Sequence, residues 1–234
     1  MTQIPIMPHT QPQPLNVEEI DWAAQISTIA TPNYAIINGE NVSARSGKTQ
    51  PVINPATGQK VADVADCGPE DADIAVNIAR KTFEAGTWAN LAPAARKKIL
   101  LRWADLIEEH KAEIALLESI SAGKPISDCF DIDVPSCLNT IRWTAEAIDK
   151  VYEEIAPTSH DTLALVTRLP LGVITAIVPW NFPLSTTAWK LAPALATGNS
   201  VILKPDPKTP FTALKIAELA HNAGLPAGVL QVLP

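Results

Sequence analysis

Cysteine and histidine are the side chains best suited to metal binding and nucleophilic catalysis, and this sequence holds few of them. The three cysteines and four histidines are scattered along the chain, as Cys67, Cys129, Cys137, His9, His110, His160 and His221. Metal ligands usually come in close pairs, so this spacing predicts no metal site. No cysteine has a histidine or a glycine-rich turn beside it, which favours structural thiols over a catalytic nucleophile.

The overall composition excludes several classes of function. Of 234 residues, 47% are apolar and 18% are charged, and the formal net charge is −7. These values predict a globular core and argue against a nucleic-acid partner, which would need clustered basic residues. No run of about eighteen apolar residues exists, so no membrane span is predicted. An odd cysteine count and the absence of Lys or Arg before Arg45 favour a reducing, cytoplasmic location.

The carboxyl-terminal part of the sequence has the pattern of an α/β protein with a parallel sheet. Apolar runs at 173–178, 201–203 and 229–233 predict three strands, of which the first is expected to be buried on both faces and the second to be buried. Helical stretches separate them, at 185–197 and again after Thr209, the predicted N-cap. The resulting β-α-β-α-β order predicts a partial doubly wound parallel sheet of the dinucleotide-binding type.

The turns that follow the first two of these strands are the predicted ligand site. Ligands of doubly wound sheets bind beyond the carboxyl ends of the strands. In this sequence those ends are residues 179–183, which have a proline at either end, and residues 204–208, which begin with a lysine. We therefore expect the two segments to form one site.

Hairpins and helices are predicted before the sheet. The Asn38-Gly39 pair after an apolar dipeptide predicts a tight hairpin, and a Pro/Gly turn after 51–53 predicts a second, the two forming an antiparallel cap. Proline followed by acidic residues predicts a helix from Pro69 to about Gly86. Two more helices and a hairpin outside the core are predicted at 93–120, 135–150 and 152–169.

Several motifs occur together and in order along the chain. Residues 179–183 are Pro-Trp-Asn-Phe-Pro, and they are followed by Ala-Trp-Lys-Leu-Ala-Pro-Ala-Leu-Ala-Thr-Gly-Asn at 188–199 and by Leu-Lys-Pro at 203–205. Upstream lie Asn-Pro-Ala-Thr-Gly at 54–58 and Gly-Lys-Pro at 123–125. This set resembles the NAD(P)-dependent aldehyde dehydrogenase superfamily.

The resemblance implies a reaction and a domain organisation. The reaction is the oxidation of an aldehyde to a carboxylic acid with NAD or NADP as cofactor. Residues 141–152 look like the branch that oxidises γ-glutamyl-γ-aminobutyraldehyde and related aminoaldehydes. The expected organisation is a flexible amino-terminal tail at 1–30, a strand-and-helix part of the cofactor-binding domain at 31–150, an oligomerisation hairpin at 151–170, and the first half of the dinucleotide-binding sheet at 171–234.

The resemblance also assigns roles around the aldehyde. Asn181 is assigned to the oxyanion hole, where an amide donor stabilises charge on the former aldehyde oxygen by about 3–4 kcal/mol. The alternative is that Asn181 only caps the following helix. Phe182 and Trp189 are assigned to the aldehyde tunnel, and the alternative is that they are core aromatics at helical spacing.

A second group of residues is assigned to the cofactor. Lys204 resembles the lysine that holds the adenosine ribose, and the alternative is an ordinary solvated strand end. Contacts along the cofactor are assigned to Ile177, Val178, Pro179, Trp180 and Pro207. NAD-preferring relatives usually carry a glutamate at the place of Pro207, so the resemblance leaves NAD or NADP open, with Lys208 available to pair with a 2′-phosphate.

Three parts of the superfamily's machinery have no counterpart in these 234 residues. They are a glycine-rich turn at the pyrophosphate, a general-base glutamate and the nucleophilic cysteine. We therefore expect an amino-terminal portion that is inactive alone and that associates with a second copy through the hairpin, or with a complementing carboxyl-terminal chain. The alternative is a non-catalytic oligomerisation or nucleotide-binding module that is a remnant of the family.

Overall fold

Residues 16–234 are described by the computed structural model, and their first part is helical. The predicted tail over 1–15 lies outside the described residues. A 3₁₀ turn at Val17–Glu19 and helix α1 at Trp22–Thr28 replace the rest of the predicted flexible tail. The ring of Trp22 meets that of Phe130 edge-on with the centroids 5.9 Å apart. This apolar contact explains why the prediction of a tail up to residue 30 does not describe residues 17–28.

Short strands and helices follow one another along the described part of the chain. The strands are β1 (Ala35–Ile37), β2 (Glu40–Val42), β3 (Thr49–Ile53), β4 (Lys60–Ala65), β5 (Glu154–Ala156), β6 (Ala164–Val166), β7 (Val173–Ile177), β8 (Ser200–Lys204) and β9 (Leu230–Val232). The further helices are α2 (Pro69–Glu84), α3 (Pro93–Glu109), α4 (Lys111–Ala122), α5 (Ile126–Asp128), α6 (Val134–Ala147), α7 (Pro183–Ala196) and α8 (Phe211–Asn222), with a π-helical segment at Cys129–Asp133. Among these helices of residues 16–234, none has the length and apolar content to cross a bilayer.

The central sheet has five strands in the order β2-β1-β9-β8-β7. β7, β8 and β9 are parallel, as predicted. β1 pairs antiparallel with β9 through Ile36 and Val232, so hairpin β1–β2 extends the main sheet instead of forming a separate cap with β3–β4. The backbone N–H of Asn38 also donates to Gln231 Oε1 at 2.6 Å, which ties the hairpin turn to β9.

β7 is an edge strand of this sheet, and its burial differs from the prediction. The side chain of Ile177 is 73% exposed, and Thr175 is also exposed. The prediction of a strand buried on both faces is therefore wrong for β7, whereas the prediction of burial holds for β8, whose residues from Ser200 to Leu203 are buried. The sheet order explains the difference, since β8 lies between two strands and β7 does not.

Helices cover both faces of the sheet, which confirms the doubly wound α/β class. α7 and α8, backed by α3, α4 and α6, lie on one face, and α2 packs on the other. Two buried tryptophan side chains connect segments of the helical layer by hydrogen bonds, since a buried indole N–H needs an acceptor. Trp88 Nε1 donates to Leu195 O at 2.8 Å, and Trp103 Nε1 donates to Ile216 O at 2.7 Å.

Local turn signals in the sequence were reliable guides to structure. Asn38 and Gly39 have φ values of 56° and 76°, the two positive angles that a tight I′-type hairpin requires, and the predicted hairpin is confirmed. The hairpin β5–β6 is also present outside the core, within the predicted span 152–169.

One predicted helix is divided in the structure. The span 93–120 was expected to be continuous, but α3 and α4 meet at His110, whose φ and ψ of −102° and 19° depart from helical values. His110 Nδ1 lies 2.8 Å from Leu106 O, a contact that competes with the regular helical pattern. The helix predicted at 135–150 corresponds to α6, which starts slightly earlier and ends at Ala147.

The end of α4 is shaped by a glycine that lets hairpin β3–β4 come close. Gly123 ends α4 with a φ of 74°, and its N–H donates to Ser119 O at 2.9 Å. A Cβ atom on Gly123 would lie 2.6 Å from Cγ of Pro55, in the turn of the β3–β4 hairpin. Glycine is thus required at this position both by the left-handed backbone and by the close approach of the turn.

We expect Gly123→Ala to lower the free energy of unfolding by about 2–5 kcal/mol, because a left-handed alanine costs about 1–2 kcal/mol and overpacking adds about 1–3 kcal/mol. Gly58→Ala is the matched control: its φ is 70°, yet no atom lies within 4 Å of the added Cβ. The control should lose only the conformational part. Urea unfolding of the two variants measures the difference, and equal losses would contradict the close contact with Pro55.

Candidate active site

The two turns predicted to bind a ligand lie side by side at one edge of the sheet. Ile177 and Lys204 are direct neighbours at the ends of β7 and β8. Val178 N donates to Lys204 O at 3.1 Å, which continues the pairing one residue beyond the strands. The turn that contains Asn181 and the turn that contains Pro207 therefore leave the sheet from adjacent positions.

Asn181 is exposed in the first of these turns and does not cap α7. The N-cap residue of that helix is Phe182, and Pro183 is its first helical residue. Within residues 16–234, no side chain of the N-cap position bonds the start of α7. The capping alternative for Asn181 is therefore wrong, and its amide stays at the surface beside the strand ends.

Phe182 and Trp189 are also at the surface, so the alternative that they are core aromatics is wrong. Their side chains are 47% and 57% exposed. Trp189 and Trp143 line a shallow groove of about 480 Å³ on α6 and α7. Both predicted tunnel residues thus offer aromatic surface, although Trp189 lies on the helix and not in the turn.

The ring of Phe182 is backed by a buried ion pair. Lys124 Nζ lies 4.1 Å from the centroid of the Phe182 ring, a cation–π geometry, and the same ammonium pairs with Asp133. The side chain of Asp133 is only 2% exposed. Because a buried carboxylate must be paired, this ion pair fixes Lys124 and, through it, the ring of Phe182.

Lys204 is half-buried, and its surroundings are acidic. Burial lowers the pKa of the Lys204 ammonium, while the Cys67 thiol and the carboxylates of Asp206 and Asp66 act in the opposite direction. Its Nζ lies 3.4 Å from Pro205 O. The ammonium is thus partly exposed and close to the sheet, from where it can be offered to a ligand at the carboxyl edge.

A cavity of about 520 Å³ lies between these turns and the β3–β4 hairpin. It takes in Trp180 and Pro207 from the predicted cofactor residues, together with Lys208 and Thr209. Lys208 Nζ is 5.7 Å from the Trp180 ring centroid, so the two turns also approach each other through side chains. Within residues 16–234, the hydroxyl of Thr209 is buried without a hydrogen-bond partner, and Pro210 is the N-cap of α8, which corrects the predicted role of Thr209.

The residues predicted to contact the cofactor differ in solvent exposure. Ile177, Pro179 and Trp180 present exposed surface, whereas the side chain of Val178 is only 3% exposed. The N–H of Val178 is used in the bond to Lys204, so Val178 can offer a ligand only its carbonyl oxygen. The structure thus brings the predicted residues to one edge and leaves their cofactor roles as predictions.

The three thiols lie in surroundings that keep them protonated. Burial raises the pKa of Cys67 and of Cys129 to about 12, and it raises the pKa of Cys137 strongly. A thiolate is the nucleophilic form of cysteine, so none of the three is prepared for attack at neutral pH. Among residues 16–234, no group of three or more His, Cys, Asp and Glu side chains is arranged to hold a metal ion.

One polar residue at this edge was missed by the sequence reasoning. Glu118 has no solvent exposure, and its carboxylate accepts hydrogen bonds from Leu184 N at 3.2 Å and Thr212 Oγ1 at 2.9 Å. Burial raises the pKa of Glu118 to about 7, against the lowering effect of these two donors. A signal was available, because Glu118 lies on the buried stripe of α4 that also holds Ile114 and Leu117.

Comparison with known protein families gives a match over most of the chain. The model of the aldehyde dehydrogenase family matches residues 42–234. The chain belongs to the aldehyde dehydrogenase family. This membership confirms the resemblance found in the motifs at 54–58, 123–125 and 179–205.

Relatives within the family include enzymes for amino-substituted aldehydes. The chain is 50% identical over 214 residues to the aminoacetaldehyde dehydrogenase of Pseudomonas aeruginosa, covering 92% of this chain and 43% of the relative. It is 49% identical over 212 residues to the NADP/NAD-dependent aldehyde dehydrogenase PuuC of Escherichia coli, covering 91% and 43%. The chain thus spans less than half the length of these curated relatives.

A solved structure confirms the fold of this aldehyde dehydrogenase family member. The crystal structure of the aldehyde dehydrogenase KauB from Pseudomonas aeruginosa superposes with a TM-score of 0.90 at 54% identity, covering 92% of this chain and 43% of that one. The aldehyde-dehydrogenase-like α/β fold predicted from the sequence is therefore present.

Proposed function

We propose that this chain forms part of an enzyme that oxidises an aldehyde to a carboxylic acid with NAD or NADP. The observation that carries the proposal is the exposed, non-capping amide of Asn181, placed at the end of β7 next to Lys204 at the end of β8. Family membership over residues 42–234 supports the same reaction.

Asn181 is the proposed oxyanion donor. Its turn is held between β7 and α7, so the amide needs little rearrangement to meet an oxygen on which negative charge develops. Such donors contribute about 3–4 kcal/mol of transition-state stabilisation. The thiols of Cys67, Cys129 and Cys137, whose pKa values are all raised, do not fit the role of nucleophile, and we expect the 234-residue chain to oxidise no aldehyde by itself.

The chain's own residues fit a nucleotide at the same edge. A half-buried ammonium at Lys204, the exposed backbone of Pro179 and Trp180, and the cavity beside Pro207 are the groups that would bind it. A bound nicotinamide supplies the acceptor for the two electrons of the oxidation. The residues here would bind and orient the nucleotide.

An aminoaldehyde is the proposed substrate class. The relative in Pseudomonas aeruginosa supports it, as do the net charge of −7 and the exposed ring of Trp189. Aromatic faces attract ammonium groups, and the resulting contact stabilises a cationic ligand by about 0.5–2 kcal/mol.

We expect Lys204→Ala to weaken NAD⁺ binding by about tenfold, because a charge-assisted hydrogen bond to the nucleotide is lost. Lys190→Ala is the matched control, since it removes the same charge from an exposed position on α7. Isothermal titration of the 234-residue chain with NAD⁺ measures both. Equal affinities in the two variants, or no NAD⁺ binding by the unmodified chain, would overturn the proposed cofactor site.

Cofactor preference is proposed to depend on the turn after β8. Pro207 is exposed and offers no carboxylate to the ribose hydroxyls. Asp206 does not replace it, because its Oδ1 already accepts the backbone N–H of Lys208 at 2.9 Å. This turn therefore offers no carboxylate at position 207 to the ribose hydroxyls, and Lys208 supplies a positive charge nearby.

Pro207→Glu is expected to shift the ratio of NAD⁺ to NADP⁺ affinity toward NAD⁺ by about tenfold, through carboxylate contacts to the ribose and repulsion of the phosphate. Lys208→Ala should weaken NADP⁺ binding and leave NAD⁺ binding close to its original strength. Paired titrations with the two nucleotides give both ratios. An unchanged ratio in both variants would show that this turn does not select the cofactor.

The hairpin β5–β6 supports a proposed association with a second copy of the chain. Ile155 and Leu165 are directly opposite each other on its two strands, and their side chains are 72% and 60% exposed. Cross-strand apolar pairs of this kind stabilise a ribbon most when a further surface covers them. The same observation favours the alternative of an oligomerisation module without catalysis of its own.

Leu165→Lys is expected to shift the chain toward monomer, because a charge in the covered face must be desolvated. His160→Lys is the control, since it adds the same charge at the exposed tip of the hairpin. Sedimentation velocity at several concentrations reads out the association. A monomeric unmodified chain would contradict self-association through this hairpin.

A further inference from the structure

A buried carboxylate joins the starts of the two helices that follow β7 and β8. Glu118 Oε1 lies 3.2 Å from the N of Leu184, the second residue of α7, and Oε2 lies 2.9 Å from the hydroxyl of Thr212, the second residue of α8. Glu118 and Thr212 have no solvent exposure. The contact therefore takes place away from water, where leaving a polar group without its hydrogen bond is costly.

The bond to Leu184 supplies a cap that α7 does not obtain from its own sequence. The first N–H groups of a helix lack partners within the helix, and negative charge is stabilised there. Pro183 has no N–H, so the N–H of Leu184 is the first one available in α7. Glu118, which belongs to α4, accepts this N–H three residues after Asn181.

The hydrogen bond from Thr212 connects the same carboxylate to the start of α8, just after the turn that follows β8. Thr212 follows the turn that holds Lys208 and the buried hydroxyl of Thr209. Its hydroxyl donates to the second carboxylate oxygen, so one rigid planar group contacts both helices. A shift of either helix start would stretch one of the two bonds.

We propose that Glu118 is a positioning residue that holds the Asn181 turn and the Lys204–Pro207 turn at a fixed separation. The proposal rests on the proposed function, since it concerns the relative placement of the oxyanion donor and the cofactor-binding groups. Glu118 itself contacts neither an aldehyde nor a nucleotide. It acts through the backbone of α7 and the side chain of Thr212.

Charged and titratable side chains surround the Glu118 carboxylate. Asp133 opposes the ionised carboxylate, whereas Lys124 favours it and is itself paired with Asp133. The thiols of Cys129 and Cys137 also face it, and the carboxylate raises the pKa of both. The hydrogen bonds from Leu184 N and Thr212 Oγ1 join the carboxylate to the two helix starts, and loss of either donor should weaken its hold on the other.

Hydrogen–deuterium exchange of the 234-residue chain, followed by mass spectrometry, tests the coupling without cofactor or substrate. Glu118→Ala should speed exchange in both 180–187 and 208–214 by about tenfold, because it removes an acceptor from each helix start. Thr212→Val removes only the hydroxyl. It should speed exchange in 208–214 directly, and exchange in 180–187 by a smaller factor of about three. Glu118→Gln keeps an acceptor oxygen and should restore slow exchange.

Asp71 provides a matched buried carboxylate in α2, on the other face of the sheet. It is 1% exposed and accepts Arg45 N and Gly68 N, both at 2.9 Å. Asp71→Ala should speed exchange only near 44–46 and 67–72. If Glu118→Ala does not fold, the exchange measurement is made on Thr212→Val. Thr212→Ser is then the variant that should restore slow exchange.

The outcomes separate this proposal from the proposed function. Joint loosening of 180–187 and 208–214, with rescue by Glu118→Gln or Thr212→Ser, supports a positioning role. Loosening of one segment alone, or uniform loosening of the whole chain, overturns it. NAD⁺ titration of the unmodified chain tests the proposed function independently, and a tenfold weaker affinity in Glu118→Ala than in Asp71→Ala would link the two.

Discussion

The burial of one carboxylate constrains the whole edge of the sheet where the candidate site lies. An ionised carboxylate without water is strongly destabilising unless donors surround it, and Glu118 finds its donors at Leu184 and Thr212. Those donors are close together only because α7 and α8 start next to each other. That arrangement in turn requires β7 and β8 to be parallel neighbours. The carboxylate, the helix starts and the strand ends thus depend on one another.

Features encoded within a few residues could be predicted from the sequence. The Asn38-Gly39 turn, the helix start at Pro69 and the three apolar strands each carry their own signal, since turn angles, missing N–H groups and burial act locally. The pairing of Ile36 with Val232 could not be predicted in this way, because the two residues are far apart in sequence. The division at His110 depends on a side-chain contact that no periodicity reveals.

The candidate site was predicted in part for the same reason. The motif order placed Asn181 and Lys204 at adjacent strand ends, which the parallel sheet confirms. Whether Phe182 and Trp189 are buried depends on which side of α7 packs on the core, and helical spacing alone allows either answer. The position of Glu118 on an apolar stripe is visible in the sequence. Its role is not, because its two hydrogen-bond donors are far away along the chain.

The position of β9 in the sheet has a consequence for the order in which the molecule assembles. Hairpin β1–β2 forms near the beginning of the chain, but its partner strand, Leu230–Val232, is synthesised almost two hundred residues later. Contacts of such long sequence separation form slowly, because loop-closure entropy must be overcome first. The edge of β1 therefore stays unpaired until β9 is available, and an unpaired strand edge of this kind favours aggregation.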